Sequence, residues 1–297
     1  MEATLRSMRL VSYLTDGGER LGLDLTGRAV AAVDLLPDGP ATMGELLADP
    51  GVLDRVRDAL ATSRIAPSAG LPLESLSLLS PVPRPGKVVA VGLNYREHAA
   101  EGGRETPPEP VLFAKFTTSI VGHGGDITWD PGLTAAVDFE AELAVVIGRT
   151  ARLVTEAEAL DFVLGYTCLN DVSARDLQYA DKQFVRAKSL DTFTPIGPAL
   201  VTADEIPDPQ ALGIRCLVNG EVMQESSTAQ MVHGVAALIA FCSRAFTLEP
   251  GDIIATGTPS GVGWFRDPKR MLRDGDEVTV EIERVGRLVN RCREDRR

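Results

Sequence analysis

The sequence predicts a β-rich α+β fold. Short runs of β-branched and aliphatic residues, separated by glycine or proline turns, outnumber the segments with helical periodicity. The helical segments are spaced too irregularly for the repeated strand–helix–strand units of a parallel α/β sheet. With 297 residues, of which 44% are apolar and 24% charged, the chain has the composition of a globular protein of one or two domains.

Residues 1–80 are predicted to form a small N-terminal α/β domain. β-Rich runs at 9–14, 21–25 and 29–35 alternate with glycine turns, which indicates a small antiparallel unit. Thr42 and Glu45 have capping-box spacing ahead of a helical pattern that Asp49-Pro50-Gly51 interrupts. The proline-dense stretch at 80–86 marks the boundary, and a larger domain is expected over residues 86–297.

The larger domain is predicted to consist mainly of strands. Apolar runs predict strands at 87–92, 111–117, 137–148, 165–172, 253–256 and 278–282, the last of them as the terminal strand. A helical turn is expected to end near Glu101. Helices are predicted over 155–164, after the capping box of Thr155 and Glu158, and over 229–246.

Composition excludes several classes of protein. The net charge of −12 provides no basic footprint for nucleic acid. The four cysteines are scattered without a CxxC pair, which argues against a zinc site and a disulfide framework. No apolar run is long enough to span a membrane, and no secretory signal is recognisable, so a cytoplasmic location is expected.

The strongest candidate site lies in the predicted strand at 137–148. Glu140 and Glu142 point to the same side of this strand, because residues two apart share a face. Paired carboxylates repel each other and are costly to bury, and a hard divalent cation between them offsets both costs. The alternative is an edge strand with both glutamates in water. Asp171 ends a later strand and adds a third carboxylate, and an oxygen-only set favours Mg²⁺, with Mn²⁺ or Ca²⁺ tolerated.

His98 and Glu101 are a candidate general base and its partner. Their spacing of three residues places them on one side of a helical turn. A carboxylate beside an imidazole orients the ring and raises its basicity, which suits a base acting on water. The same spacing is also explained by a surface helix that carries charged residues, and this alternative stays open at this point.

Two further segments carry polar groups at suggestive spacing. Asp171, Arg175 and Gln178 can share one helical face, where an arginine would bind a substrate carboxylate in a bidentate manner. An ordinary Asp–Arg pair on a helix is the alternative. The glycine-rich segment 256–263 lacks the Gly-Lys-Ser/Thr ending of a phosphate loop, which leaves a tight loop whose backbone N–H groups and hydroxyls are able to hold an anion.

Taken in order, the motifs of residues 86–290 resemble the fumarylacetoacetate hydrolase family. They are Gly92-Leu93-Asn94-Tyr95 with His98 and Glu101, Pro110–Lys115, Asp138–Gly148, Asn170–Gln178, Ala187-Lys188-Ser189, Val218–Glu221, Leu248–Pro259 and Gly261-Val262-Gly263. The resemblance implies a mixed β-sandwich roll that assembles as a homodimer.

The resemblance also implies roles for individual residues. Glu140, Glu142 and Asp171 match the metal ligands, and His98 with Glu101 matches a dyad that activates water. Lys188 matches a lysine that supports the site beside the metal. Arg175, Gln178 and Thr258 match residues near a bound oxo acid, and Thr192 matches a residue that helps to order the site.

The function implied is that of a divalent-metal-dependent hydrolase. It would cleave a C–C bond in a small 2-oxo acid, an acylpyruvate-type β-diketone, by metal chelation and attack of water activated by His98. Decarboxylation of oxaloacetate, and isomerisation or hydration of an unsaturated 2-oxo acid, share the metal and remain open. A metal-bearing binding protein without turnover is disfavoured, because the full set of site residues is present. The irregular stretches at 102–110 and 179–187 leave the substrate open.

Overall fold

A computed structural model describes residues 8–49, 51–66 and 68–295. These residues form nineteen strands and seven α-helices. The strands are β1 (Arg9–Thr15), β2 (Gly18–Asp24), β3 (Arg28–Ala31), β4 (Leu71–Pro72), β5 (Ser77–Leu78), β6 (Val88–Gly92), β7 (Val111–Lys115), β8 (Ile120–Val121), β9 (Asp126–Trp129), β10 (Val137–Asp138), β11 (Ala141–Ile147), β12 (Val163–Asn170), β13 (Ser173–Ala174), β14 (Thr194–Thr202), β15 (Gly213–Val218), β16 (Glu221–Ser227), β17 (Ile253–Ala255), β18 (Glu277–Ile282) and β19 (Gly286–Glu294). The helices are α1 (Ala32–Leu35), α2 (Met43–Ala48), α3 (Val52–Thr62), α4 (Arg96–Glu101), α5 (Arg175–Asp181), α6 (Val185–Lys188) and α7 (Val235–Ala245).

Two sheets pack face to face and form the core. The larger has twelve strands in the order β4-β3-β2-β1-β14-β12-β11-β17-β6-β7, with β5 beside β1 and β8 beside β14. The smaller has the order β16-β15-β18-β19-β9. Leu143 and Val145 of β11 pack in one cluster with Ile214 of β15 and Val280 of β18. Both sheets contain parallel and antiparallel pairs, so the predicted β-rich α+β fold with a mixed sandwich is confirmed.

The opposite face of the large sheet is covered by the N-terminal helices. Ala144 and Val146, which alternate with the residues facing the small sheet, pack in one cluster with Met43 of α2 and Val56 of α3. Strand β1 pairs with β14 through Leu10 and Leu200. Strands from both sides of the predicted boundary at residues 80–86 therefore belong to the same sheet. The division into domains 1–80 and 86–297 stays a prediction.

Some local predictions are confirmed and others are wrong. The predicted cap of α2 is present in part: Thr42 accepts a hydrogen bond from the Glu45 amide, whereas the Glu45 side chain accepts from the Ala41 amide rather than from that of Thr42. The predicted helix over 155–164 is wrong: only a 3₁₀ turn at Ala159–Phe162 forms, and β12 begins at Val163. Pairing of Val163 with Ile147 in the central sheet outweighs the local helical signal.

Two predicted element boundaries also differ. The helix expected over 229–246 begins only at Val235, after Gly234. The strand predicted to be the last one, β18, is followed by a further strand, β19, which lies between β18 and β9 in the smaller sheet. The prediction of β18 as the terminal strand is therefore wrong. Within the described ranges, no helix combines the length and apolar character that a membrane crossing needs.

Candidate metal centre and active site

Three buried carboxylates meet at one end of the large sheet. Glu140, Glu142 and Asp171 each offer one oxygen, and these oxygens all lie within 4.8 Å of one another. The exposed fractions of the three residues are 4%, 1% and 0%. The predicted alternative, an edge strand with its glutamates in water, is therefore wrong.

Strand pairing brings residues from distant parts of the sequence together. Ala141 of β11 pairs with Asn170 of β12, so the residues just beyond these strand ends are neighbours. The Asp171 amide donates to the Glu140 carbonyl oxygen at 2.9 Å, and the Glu140 amide donates to Asn170 Oδ1 at 3.0 Å. The predicted strand at 137–148 is interrupted here, since Val137 and Asp138 pair instead with β13. The interruption places Glu140 outside the regular strand, beside Asp171.

Two buried lysines compensate the carboxylates. Lys188 Nζ, at the end of α6, lies 2.7 Å from Glu140 Oε2 and 2.6 Å from Asp171 Oδ2. Lys115 Nζ, at the end of β7, lies 2.5 Å from Asp171 Oδ1 and also donates to the Lys188 carbonyl oxygen. Burial lowers the pKa of Lys188, but the carboxylates of Asp171 and Glu140 raise it above its usual value. For Lys115, burial outweighs the effect of the Asp171 carboxylate and lowers the pKa from its usual value. Lys188 is therefore the fixed positive charge behind the cluster, and Lys115 is a hydrogen-bond partner of Asp171.

Arg175 joins the cluster to the rest of the site. Its Nε lies 2.8 Å from Asp138 Oδ2, its Nη2 2.8 Å from Glu140 Oε1, and its Nη1 donates to Gln178 Oε1 at 3.0 Å. The predicted helical face shared with Asp171 is wrong, because α5 begins at Arg175. Arg175 and Gln178 do lie on this helix and contact each other, as predicted.

The glutamates experience different electrostatic surroundings. Burial would raise the pKa of Glu140, but the charges of Lys188, Arg175 and His98 lower it to about 2. Among the residues that the structure describes, the Glu142 carboxylate has one hydrogen bond, from the Gly257 amide at 2.8 Å, and no ion pair. Burial, followed by the carboxylates of Asp171 and Glu140, raises the pKa of Glu142 well above its usual value. Glu142 is thus the carboxylate whose charge is least compensated by the protein.

The residues present fit a divalent cation. The donor set consists only of carboxylate oxygens, as Mg²⁺, Mn²⁺ and Ca²⁺ prefer. Each carboxylate oxygen has two lone pairs, so those of Glu140 and Asp171 that accept from lysine or arginine retain the capacity to bind a metal. A cation at this position would also favour the charged form of Glu142.

His98 and Glu101 form the predicted pair on α4. His98 Nδ1 lies 2.7 Å from Glu101 Oε1, and the other carboxylate oxygen of Glu101 accepts from the Gly261 amide at 2.8 Å. The imidazole is only 8% exposed, so the alternative of a surface helix with solvated charges is wrong for this residue. With Nδ1 bound to Glu101, Nε2 is the ring nitrogen left for a substrate.

The glycine-rich loop binds carboxylates of the protein itself. The amides of Gly257 and Gly261 donate to Glu142 and Glu101, and those of Gly263 and Trp264 both donate to Asp138. Gly257 has a φ of +95°, and a Cβ there would lie 2.7 Å from Asn94 Cβ, so a side chain is disfavoured on both grounds. The anion-holding loop predicted from the sequence thus positions three carboxyl groups of the site.

A cavity of about 280 Å³ opens onto these groups. Its inner wall includes Glu140, Glu142, Lys188, Arg175 and His98. The remaining lining residues are Val91, Gly92, Leu93, Gly102, Arg104, Phe113, Gln178, Tyr179, Lys182, Phe184, Thr258 and Phe265. All predicted site residues except Asp171, Glu101 and Thr192 therefore line the cavity, and the first two of these lie directly behind residues that do.

Thr192 and Thr258 have different surroundings. Thr192 Oγ1 accepts from the Thr128 amide of β9 at 2.7 Å, and no contact with the carboxylates is found among the described residues. Thr258 Oγ1 accepts from Gln224 Nε2 at 2.8 Å, and Gln224 Oε1 accepts from the Ala141 amide at 2.9 Å. Gln224 thus connects Thr258 to the strand that carries Glu142.

Three buried residues of the site were not identified by sequence reasoning: Lys115, Asp138 and Gln224. Lys115 ends an apolar strand, and Asp138 directly precedes Phe139 and Glu140. Because charged residues are seldom buried, a charge next to an apolar segment could have marked both as site candidates. Gln224 lies in β16 of the other sheet, with no signal that separates it from an ordinary strand residue.

Comparison with known proteins defines the class to which this fold and site belong. Residues 87–293 match the family model described as fumarylacetoacetate (FAA) hydrolase C-terminal. The mitochondrial oxaloacetate tautomerase FAHD2A of Bos taurus is 46% identical over 294 residues, which cover 96% of this chain and 92% of that protein.

Two solved structures extend the comparison. Fumarylacetoacetate hydrolase from psychrophilic Exiguobacterium antarcticum is 36% identical, with a TM-score of 0.78 and coverage of 97% of this chain and 100% of that one. The 2-hydroxyhepta-2,4-diene-1,7-dioate isomerase from Mycobacterium marinum is 37% identical, with a TM-score of 0.75 and coverage of 97% and 99%.

The chain belongs to the fumarylacetoacetate hydrolase family. The family predicted from the order of the motifs is therefore confirmed, and the protein is an enzyme of this family. The three relatives carry a tautomerase, a hydrolase and an isomerase in their names, so family membership does not select the reaction.

Proposed function

We propose that the enzyme interconverts the keto and enol forms of a small 2-oxo acid of the oxaloacetate type, with a divalent cation at the carboxylate cluster. The observation that carries this proposal is the meeting of Glu140, Glu142 and Asp171 at the inner end of a cavity that the two glutamates and His98 line. The identity of 46% with an oxaloacetate tautomerase over nearly the full chain supports tautomerisation over the C–C hydrolysis implied by the initial resemblance.

The metal has a defined place in this scheme. A divalent cation held by Glu140, Glu142 and Asp171 would supply Lewis acidity toward the oxygens of the 2-oxo acid. We propose Mg²⁺ as the ion, with Mn²⁺ or Ca²⁺ tolerated, because all three residues offer carboxylate oxygen.

His98 is the proposed proton carrier. In the keto-to-enol direction its Nε2 accepts the proton from C3 of the substrate, and the C2 oxygen gains a proton, so that the net change is one proton moved within the molecule. Glu101 orients the ring and stabilises the imidazolium form, since its carboxylate contacts Nδ1 at 2.7 Å. The Gly261 amide in turn fixes Glu101.

The cationic residues favour the charge that develops during the reaction. Enolisation places negative charge on the C2 oxygen in the transition state, and fixed, buried positive charges beside it stabilise this charge. Lys188 and Arg175 line the cavity and are held in place by Glu140, so they need no rearrangement during the reaction.

A panel of substrates tests the proposal. The purified enzyme is given enol oxaloacetate, and the loss of enol absorbance is followed with and without EDTA, alongside release of CO₂. We expect metal-dependent acceleration of enol loss that exceeds any CO₂ release. Enol decay at the uncatalysed rate, or a rate unchanged after metal removal, would contradict the proposal.

Hydrolysis of an acylpyruvate is the second candidate. The paired His98 and Glu101 also suit activation of water, and one similar solved structure is a hydrolase by name. Acetylpyruvate in the same assay would be cleaved to acetate and pyruvate in this case. Cleavage of acetylpyruvate without acceleration of oxaloacetate enolisation would select hydrolysis, and CO₂ release matching oxaloacetate loss would select decarboxylation.

We further propose a homodimer, as the initial resemblance implies. The cytoplasmic location stays a prediction, since the bovine relative is named as mitochondrial.

A further inference from the structure

We propose that Arg104 and Lys182, at the mouth of the cavity, bind the distal carboxylate of a dicarboxylic substrate. The inference rests on the proposed function and deepens it, because it assigns the part of the protein that would distinguish a dicarboxylic 2-oxo acid from a monocarboxylic one.

The pairing of charges along the cavity points to these two residues. Five basic side chains line the cavity: His98, Arg104, Arg175, Lys182 and Lys188. His98, Arg175 and Lys188 are buried and each is bound to a carboxylate of the protein. Arg104 and Lys182 are exposed, and within the described part of the chain neither side chain has a hydrogen bond or ion pair. Two uncompensated cations thus lie at the outer end of a cavity whose inner cations are already paired.

The charge of the inner arginine is already compensated by carboxylates of the protein. Arg175 Nε donates to Asp138 Oδ2, Nη1 donates to Gln178 Oε1, and Nη2 lies 2.8 Å from Glu140 Oε1. Lys188 is shared between Glu140 and Asp171. If the 2-oxo acid group is held at the inner end, the other carboxylate of a dicarboxylic acid needs cations elsewhere along the cavity, because a carboxylate that leaves water without a partner is costly.

Arg104 and Lys182 each lie at the end of a helix that also carries a residue of the inner end. Arg104 follows α4, the helix that carries His98, and its amide donates to the Ala99 carbonyl oxygen at 2.9 Å. Lys182 caps the C-terminus of α5, the helix that begins at Arg175, with a φ of +58°. Each helix therefore provides one residue at the inner end and one cation at the mouth.

The two side chains suit this role chemically. The planar guanidinium of an arginine binds a carboxylate with two parallel hydrogen bonds, whereas a lysine acts as a mobile point charge. The aromatic side chains of Phe113, Phe184 and Phe265 also line the cavity and would favour an apolar tail instead. The two kinds of substrate can therefore be separated by experiment.

The test compares two stable ligands that differ only in the distal carboxylate. Binding of malate and of lactate to the Mg²⁺-loaded enzyme is measured by calorimetry at low ionic strength, for the wild type and for Arg104→Gln, Lys182→Gln and the double variant. We expect the wild type to prefer malate, and the double variant to lose roughly tenfold in malate affinity while lactate affinity is unchanged. Higher salt should reduce the wild-type preference, because exposed charges are screened.

Two controls separate charge from other effects. Arg64→Gln removes an exposed arginine that does not line the cavity, and it should leave both affinities unchanged. Arg104→Lys and Lys182→Arg keep the charges and should retain most of the preference for malate.

The inference is overturned if the wild type does not prefer malate, if the double variant keeps the preference, or if malate and lactate lose affinity equally. A failure of the proposed reaction would be recognised separately, because the binding measurement needs no turnover. Wild-type enzyme that prefers malate but does not accelerate oxaloacetate enolisation would refute the reaction and retain the site.

Discussion

The inner end of the cavity and its mouth differ in how their charges are held. At the inner end, Glu140 and Asp171 contact lysine or arginine within 2.8 Å, and all of these side chains are almost fully buried. At the mouth, Arg104 and Lys182 are exposed and have no charged partner among the described residues. One region is a closed network, whereas the other offers charge to a ligand.

This difference separates chemistry from specificity. Groups in a buried network cannot be changed singly without leaving a charge unpaired, which costs several kcal/mol. Exposed groups can be exchanged at little cost in stability. A change at the mouth can therefore alter the substrate without disturbing the inner end.

The largest effect is expected at Glu142. Its carboxylate has no ion-pair partner among the residues that the structure describes and is the one that a bound metal would compensate most. Glu142→Gln should weaken Mg²⁺ binding and reduce turnover by roughly 10³-fold or more, because Lewis-acid catalysis contributes several kcal/mol to the barrier. Calorimetric titration with Mg²⁺ and the enol assay measure the two effects.

The Glu142 prediction has a clear contrary outcome. Removal of metal from the wild type by EDTA should give the same loss of turnover as the substitution. A Glu142→Gln enzyme with normal Mg²⁺ affinity and normal rate would show that the three carboxylates are not the metal site.

A smaller effect on turnover is expected at His98. His98→Gln keeps a polar side chain but removes the base, and general base catalysis typically contributes about 10²–10⁴-fold in rate. Mg²⁺ affinity should be preserved and malate affinity should change far less than turnover, since the His98 side chain is hydrogen-bonded to Glu101 rather than to the carboxylate cluster among the described residues. Steady-state kinetics together with malate calorimetry check both parts; equal turnover in the variant would exclude proton transfer by this residue.

The inner end could be predicted from the sequence and the mouth could not. Carboxylates are among the oxygen ligands that a hard cation prefers, and three signals together singled out Glu140, Glu142 and Asp171: the shared strand face of the two glutamates, the third carboxylate and the order of the motifs. The partners of these carboxylates depend on contacts between distant segments, and Lys115 was therefore missed. The pairing of Arg175 with Asp138 was missed because local spacing favoured Asp171 as its partner.

Local signals also competed with the sheets. Thr155 and Glu158 make their capping contacts, but no helix follows because Val163 pairs with Ile147 in the sheet. Likewise, no pattern in the sequence indicates that the Gly257 and Gly261 amides are directed to Glu142 and Glu101. The β-rich class followed from strand patterns, whereas the contacts that close the site arise only when the two sheets and their loops assemble.

The next prediction concerns the stability of the inner network. Arg175→Met keeps an unbranched side chain in place of the aliphatic part of arginine but leaves Asp138 and Glu140 without their arginine contacts at 2.8 Å. Loss of one partner from a buried ion pair typically costs about 3–5 kcal/mol, and we expect a decrease of this size in the free energy of unfolding by denaturant. Measurements without Mg²⁺ isolate the contribution of the protein groups.

A surface pair provides the matched control for Arg175. Arg215 and Glu281 lie 2.5 Å apart, but their side chains are 46% and 23% exposed. Arg215→Met should cost only about 0–1 kcal/mol, because exposed ion pairs contribute little. If both variants lost the same free energy of unfolding, the buried ion pairs of the inner end would contribute no more to stability than an exposed pair.

The smallest effect is expected from an aromatic residue at the mouth. Phe265 lines the cavity and is 37% exposed, with its ring centroid 6.2 Å from that of His98. Phe265→Ala should change the free energy of unfolding by only about 0.5 kcal/mol and should alter KM more than kcat. Phe139→Ala is the matched change behind the inner end, where the ring is fully buried in the core and directly precedes Glu140 in the sequence, and it should cost about 3–5 kcal/mol. Because both variants remove the same phenyl ring, a similar loss of stability at both positions would remove the distinction between a closed inner end and an exchangeable mouth.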